Sequence, residues 1–131
     1  MRRVAILAVI MAMGAAVEPA IAAEPTDAVL KAGERVFYKC RSCHTIDKDG
    51  SDNVGPNLWG IFGSKAGSKP DFAYSDALLN SNIVWSEETI GQWLSKPTTF
   101  LPGTIMAFIG VPKEEDRKAV LAYLKKKSTE E

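Results

Sequence analysis

The sequence predicts a small all-α domain in which short helices and long irregular loops wrap a buried cofactor. Three observations carry this expectation. Apolar residues recur at helical spacing near the start, the middle and the end of the chain. No segment shows persuasive strand alternation, and no repeat or second domain is visible. Between the first and second helical patterns, residues 45–81 are rich in Gly, Asp, Ser, Asn and Pro. So long an irregular stretch normally argues against a compact domain. A buried cofactor resolves the conflict, because the loop then packs on the cofactor rather than on a protein core.

The first helix is expected over about Thr26 to Lys39. Val29, Gly33, Val36 and Phe37 share one face, and Thr26 or Asp27 can cap its start. Glycine is a poor helix former, so Gly33 on the apolar face implies that another element packs closely there. A short helix is expected from about Tyr74 to Leu79. The next begins at Trp85-Ser86-Glu87-Glu88, with Ser86 as N-cap and two acids where the helix dipole favours them. Its apolar face is Ile90, Trp93 and Leu94, and Pro97 stops it. The last helix is expected from near Lys113. Glu114, Glu115 and Asp116 fall in its first turn and Lys125, Lys126 and Lys127 in its last, matching the dipole at both ends. Val120, Leu121 and Leu124 form its stripe, with Tyr123 beside it.

Cys40-Arg41-Ser42-Cys43-His44 holds the only two cysteines and the only histidine of the chain. C-x-x-C-H is the attachment pattern of a c-type haem. Two thiols add across the haem vinyl groups, and the adjacent imidazole is left beside the iron. Random placement gives this pattern on the order of once in ten thousand. A structural zinc site needs four Cys or His ligands, and only three are present. A dithiol redox motif would sit near a βαβ pattern and gives no reason for the histidine. A disulfide across so short a loop would stabilise little.

His44 accounts for one axial ligand. Met1, Met11 and Met13 lie in the N-terminal segment, which leaves Met106 alone in the rest of the chain. It sits in Pro102-Gly103-Thr104-Ile105-Met106, between helices, where a side chain can face a cofactor. Methionine commonly fills core gaps. With a haem in place and no second histidine, Met106 is the leading candidate for the second ligand. A lysine or an open site are the alternatives. Pro56 offers a carbonyl that could accept the free N–H of His44 and orient it. Tyr74, Ser75 and Trp85 can donate hydrogen bonds, which buried haem propionates require.

Residues 1–23 are expected to be a secretory signal peptide. Arg2 and Arg3 are basic, Val4 to Val17 is apolar, and Ala20-Ile21-Ala22 or Ile21-Ala22-Ala23 offers a cleavage point. An uncleaved anchor is the alternative, but the apolar run is shorter than the ~20 residues a spanning helix needs. Leaving Arg2, Arg3 and Glu18 out of 16 basic and 16 acidic residues gives 14 and 15, a formal charge of −1. That balance offers no footprint for nucleic acid. Residues 24–131 then form one domain. Its cysteines must stay reduced until haem arrives, outside the cytoplasm.

In Cys40 to His44, Gly55-Pro56-Asn57-Leu58, Tyr74-Ser75-Asp76-Ala77, Trp85-Ser86-Glu87-Glu88-Thr89, Pro102 to Met106 and Ala122-Tyr123-Leu124-Lys125-Lys126, the chain resembles a class I cytochrome c. The resemblance is to the mitochondrial and bacterial periplasmic types and covers about Ala28 to Lys126. It implies the small haem-wrapping fold with crossing N- and C-terminal helices, Gly33 and Phe37 lying against Val120 and Tyr123. It implies one haem c, covalent through Cys40 and Cys43, with His44 and Met106 as axial ligands and Pro56 accepting from His44. It places Tyr74, Ser75 and Trp85 near the propionates and Thr104 beside the methionine loop.

Against that pattern, Thr98, Thr99 and Ile105 replace lysines common before the methionine. Trp93 replaces a tyrosine, Leu78 an asparagine and Ser64 an arginine. The implied function is a soluble, monomeric periplasmic electron carrier. It would shuttle between a quinol–cytochrome c reductase and a terminal oxidase or another reductase, without membrane insertion after cleavage. Lys39, Lys96 and Lys113 are candidates for a docking rim, with Val54, Ile105 and Phe108 as apolar contacts. An enzyme or gas sensor with an open distal site, and a membrane-tethered form, are the competing readings.

Overall fold

The chain folds around two packed helices from its two ends. The structure, a computed structural model, describes residues 23–130; the expected signal peptide, apart from Ala23, lies outside them. Five helices stand among these residues: α1 (Asp27–Phe37), α2 (Asp76–Leu79), α3 (Glu87–Ser95), α4 (Pro97–Phe100) and α5 (Glu114–Lys127). There is no strand among them, only one isolated bridge between Lys65 and Val84. No described helix is long and apolar enough to cross a membrane.

The helix ends follow from local chemistry. Thr26 is the N-cap of α1, its hydroxyl accepting from Val29 N at 3.4 Å, and Asp27 falls in the first turn. The helix stops two residues earlier than expected because the chain tightens into 3₁₀-like bonds, with Lys39 N to Val36 O and Cys40 N to Phe37 O. Tyr74 stays outside α2, whose N-cap is Ser75. Ser86 caps α3 as expected, and Thr89 completes a reciprocal capping box by accepting from Ser86 N at 2.8 Å. Pro97 ends α3 and also starts the short α4 as its N1 residue. This second helix was not expected, although fixed φ and the missing N–H suit proline to that position.

The α1–α5 contact is the main packing event. Phe37 and Val120 are 1 % and 0 % exposed, and the rings of Phe37 and Tyr123 lie 5.3 Å apart. Burying each such side chain stabilises by about 1.5–3 kcal/mol. Gly33 permits the contact. A Cβ on Gly33 would lie 2.7 Å from the Ala119 carbonyl carbon and 2.7 Å from Tyr123 Cβ, inside van der Waals distance. Helix α3 packs on α5 as well, and Lys125 pairs with Glu87 across that seam. Ile90, Trp93 and Leu94 of α3 join Val36, Phe37, Val120 and Leu124 in one core.

The stretch 45–81 is irregular, as expected, with only α2 inside it. It is held by backbone bonds to the segment before α3: Gly63 N to Trp85 O at 2.7 Å, Trp85 N to Ser64 O at 2.9 Å and Ala66 N to Ile83 O at 2.9 Å.

At an exposed helical position, Gly→Ala gains about 1 kcal/mol. Gly33→Ala is expected instead to cost about 1–3 kcal/mol through overpacking. Gly91→Ala in α3 meets only the flexible end of Leu121, at 3.3 Å, and is expected to cost less. Denaturant unfolding of the haem-loaded variants checks this; Gly33→Ala as stable as Gly91→Ala would contradict the close approach.

Candidate haem site

The C-x-x-C-H segment turns because it continues the end of α1. Arg41 N bonds Phe37 O, Cys43 N bonds Cys40 O at 3.0 Å, and His44 N bonds Cys40 O at 2.9 Å. This coil places both thiols and the imidazole on the wall of one cavity of about 670 Å³. Neither cysteine is in a disulfide. Burial pushes the Cys40 thiol up to about 11, only partly opposed by the Lys39 ammonium. Burial in this fold therefore favours the neutral Cys40 thiol over the thiolate.

His44 Nδ1 lies 2.7 Å from the carbonyl oxygen of Pro56. A carbonyl only accepts, so Nδ1 carries the proton and Nε2 keeps its lone pair. Burial lowers the imidazole below its ordinary range, and the bond to Pro56 offsets this in part. The ring is thus neutral at neutral pH, the form that ligates metal. Gly55 makes room for it, since a Cβ there would lie 2.7 Å from both ring nitrogens. Gly55 N in turn donates to Cys43 O at 2.8 Å, closing the loop back on the motif.

Met106 comes from the strap between α4 and α5. Along 104–109, Thr104, Met106 and Phe108 are half-buried while Ile105, Ala107 and Ile109 are exposed. Met106 lines the cavity together with its neighbours Ile105, Ala107 and Phe108, and Phe108 N donates to Met106 O at 2.9 Å. Thr104 does not line the cavity; its hydroxyl accepts from Met106 N at 3.3 Å and braces the strap. Val111 N to Leu94 O at 2.7 Å anchors the far end.

Pro56, Tyr74, Ser75 and Trp85 share the same wall. Ser75 also spends its hydroxyl on the N-cap of α2, accepting from Leu78 N at 3.3 Å. Tyr74 has its hydroxyl pushed above the usual tyrosine range, chiefly by burial. Trp85 stacks edge-on against Trp93 with centroids 5.5 Å apart, and Trp93 meets Phe100 at 6.2 Å. Ser64, Leu78 and Trp93, the departures from the resembled pattern, also line the cavity. Ser64 donates to Ile61 O at 2.7 Å. Of the rim candidates, Lys39, Val54, Ile105 and Phe108 border the cavity, whereas Lys96 and Lys113 do not.

Sequence reasoning missed Trp59 and Asn57, which both line the cavity. The Asn57 side chain is buried and fully used. Its Nδ2 donates to Asp47 O and Gly50 O at 2.8 and 2.7 Å, and its Oδ1 accepts from Trp59 N at 2.6 Å. Asn57 belongs to the Gly55-Pro56-Asn57-Leu58 motif, but nothing in the sequence distinguishes its role from that of an ordinary turn residue.

These residues fit a haem. The cavity is within the size range of cofactor sites, mostly apolar, and has two thiols, one neutral imidazole and one thioether on its wall. The description "Cytochrome c" belongs to the family whose sequence profile matches residues 30–128. A cytochrome c of Theileria annulata is 50% identical over 98 residues, covering 74% of this chain and 84% of that protein. The cytochrome c2 of Rhodoblastus acidophilus is 45% identical over 93 residues, covering 71% and 87%. That of Rhodomicrobium vannielii is 44% identical over 92 residues, covering 70% and 74%. The chain therefore belongs to the cytochrome c family, electron carriers rather than enzymes, and takes that family's covalent haem c through Cys40 and Cys43.

Proposed function

We propose that the chain is a periplasmic electron shuttle in which His44 and Met106 close both axial positions of the haem iron. The observation that carries this is a single wall: the two thiols, the neutral imidazole and the one thioether of the described residues all border the same cavity. When bound, the haem supplies a one-electron Fe(III)/Fe(II) couple. His44 offers Nε2 while Pro56 holds its Nδ1–H, fixing both tautomer and ring orientation. Met106 offers a soft thioether, which favours the ferrous state relative to a second imidazole and raises the potential. With His44 and Met106 both bound to it, the iron would have no site left for a substrate, which separates a carrier from an enzyme or gas sensor.

The remaining residues serve the same end. Tyr74, Ser75 and Trp85 bring polar hydrogens to the wall, where the propionate carboxylates would need them. The apolar remainder of the wall keeps water from the couple and so limits solvent reorganisation. At the rim, Val54 and Ile105 are 76 % and 71 % exposed, and Lys39 borders the same cavity. Such a surface suits brief encounters over a small interface. Thr98 and Thr99 bring no charge, so steering toward acidic partners is weaker than in basic relatives. A quinol–cytochrome c reductase as donor and a terminal oxidase or another reductase as acceptor match this role. The composition of residues 1–23 and the bacterial cytochromes c2 among the relatives support export to the periplasm.

Met106→Ala is expected to lower the reduction potential and let added imidazole or carbon monoxide reach the iron. Potentiometry and ligand titration read this, and an unchanged spectrum and potential would remove Met106 from the site. Cys40→Ala is expected to leave a single thioether bond or to abolish maturation; mass spectrometry finding both bonds intact would contradict the attachment. The mass of the natively expressed protein is expected to lack about the first 23 residues, and a mass that includes them would favour a tethered form.

A further inference from the structure

One peptide group links His44 to a charge that the ligand set does not include. The Pro56–Asn57 peptide presents its C=O to His44 Nδ1–H at 2.7 Å, and its N–H donates to Asp52 Oδ1, also at 2.7 Å. The same carboxylate oxygen pairs with Lys69 Nζ at 2.5 Å. We propose that Asp52 is a positioning residue for the haem ligand His44, acting through this peptide, and that Lys69 sets how strongly it acts.

The physical argument is the polarisation of an amide between an anion and a donor. An anion on the N–H moves electron density toward the carbonyl oxygen, and hydrogen bonds in such a chain strengthen one another. A more basic carbonyl draws harder on the Nδ1 proton of His44, and the imidazole becomes a better electron donor at Nε2. Lys69 pulls density back toward its ammonium and moderates the effect. The Asn57 N–H, then Lys69, hold the Asp52 carboxyl below the usual carboxylate range, so it is ionised at neutral pH.

Other hydrogen bonds hold the loop beside this pair. Thr45 donates to Ser51 O at 2.7 Å, and Asn57 Nδ2 holds Asp47 O and Gly50 O. Asp52→Asn keeps an oxygen for the Asn57 N–H and removes only the charge. Lys69→Gln leaves the carboxylate in place and uncompensated. The two variants break the same ion pair but change the charge on the peptide in opposite senses.

The inference rests on His44 being an iron ligand. It is tested on the haem-loaded protein by the His44 Nδ1–H proton resonance of the ferrous state and by the reduction potential. Asp52→Asn is expected to move the resonance upfield and raise the potential. Lys69→Gln is expected to move it downfield and lower the potential, and Lys69→Arg to restore both. Equal shifts in one direction would mark the pair as a loop brace and overturn the proposal, as would a resonance unmoved in both variants. A His44 ring without hyperfine shift in the ferric wild type would instead show that His44 is not a ligand. That result would end the proposal through its premise, and the variant pattern is not needed to tell the two failures apart.

Discussion

The hydrogen bond from His44 Nδ1 to the Pro56 carbonyl is the constraint on which the rest of the site depends. It fixes the tautomer, and through the tautomer the nitrogen that can bind metal. It also fixes where the loop 45–59 must lie relative to the end of α1. That placement in turn demands glycine at 55, where any side chain would strike the imidazole. It demands as well a loop that is rigid without regular structure, and buried Asn57 provides this by satisfying two carbonyls and one N–H at once. The irregular stretch is thus ordered by side-chain-to-backbone bonds in place of a ladder.

The helices supply the frame against which that loop is held. Packing of α1 on α5 through Gly33 sets the end of α1, and the C-x-x-C-H coil is a direct continuation of that end. Phe37 is buried in the helix contact three residues before Cys40 lines the cavity. The core and the site are therefore parts of one structure. On the other side, the strap 104–109 brings Met106 to the cavity, with Thr104 bracing it and Val111 tied to the end of α3.

Much of this was legible in the sequence because the signals were local. Ser86 at a helix start, Gly33 on an apolar face and the acidic and basic ends of α5 each express a rule that operates within one turn. Cys40, Cys43 and His44 announce their chemistry by spacing alone. Met106 stood out as the one methionine beyond residues 1–23, and Pro56 as a residue with a carbonyl and no N–H in the Gly55-Pro56 turn. The rest was hidden because it depends on which distant atoms meet. Trp59 on the cavity wall, the four hydrogen bonds at Asn57 and the pairing of Asp52 with Lys69 join loops whose paths no periodicity encodes. The short α4 escaped because Pro97 carries two meanings, the end of one helix and the first residue of another.

The central claim is that His44 and Met106 both bind the iron in the cavity they line. Proton NMR of the ferrous haem-loaded protein tests this most directly, because a methyl group held against the haem face is shifted far upfield by the ring current. The account predicts a Met106 ε-methyl resonance far upfield of its ordinary position. A Met106 methyl at an ordinary shift, with the protein otherwise folded and haem-loaded, would contradict it.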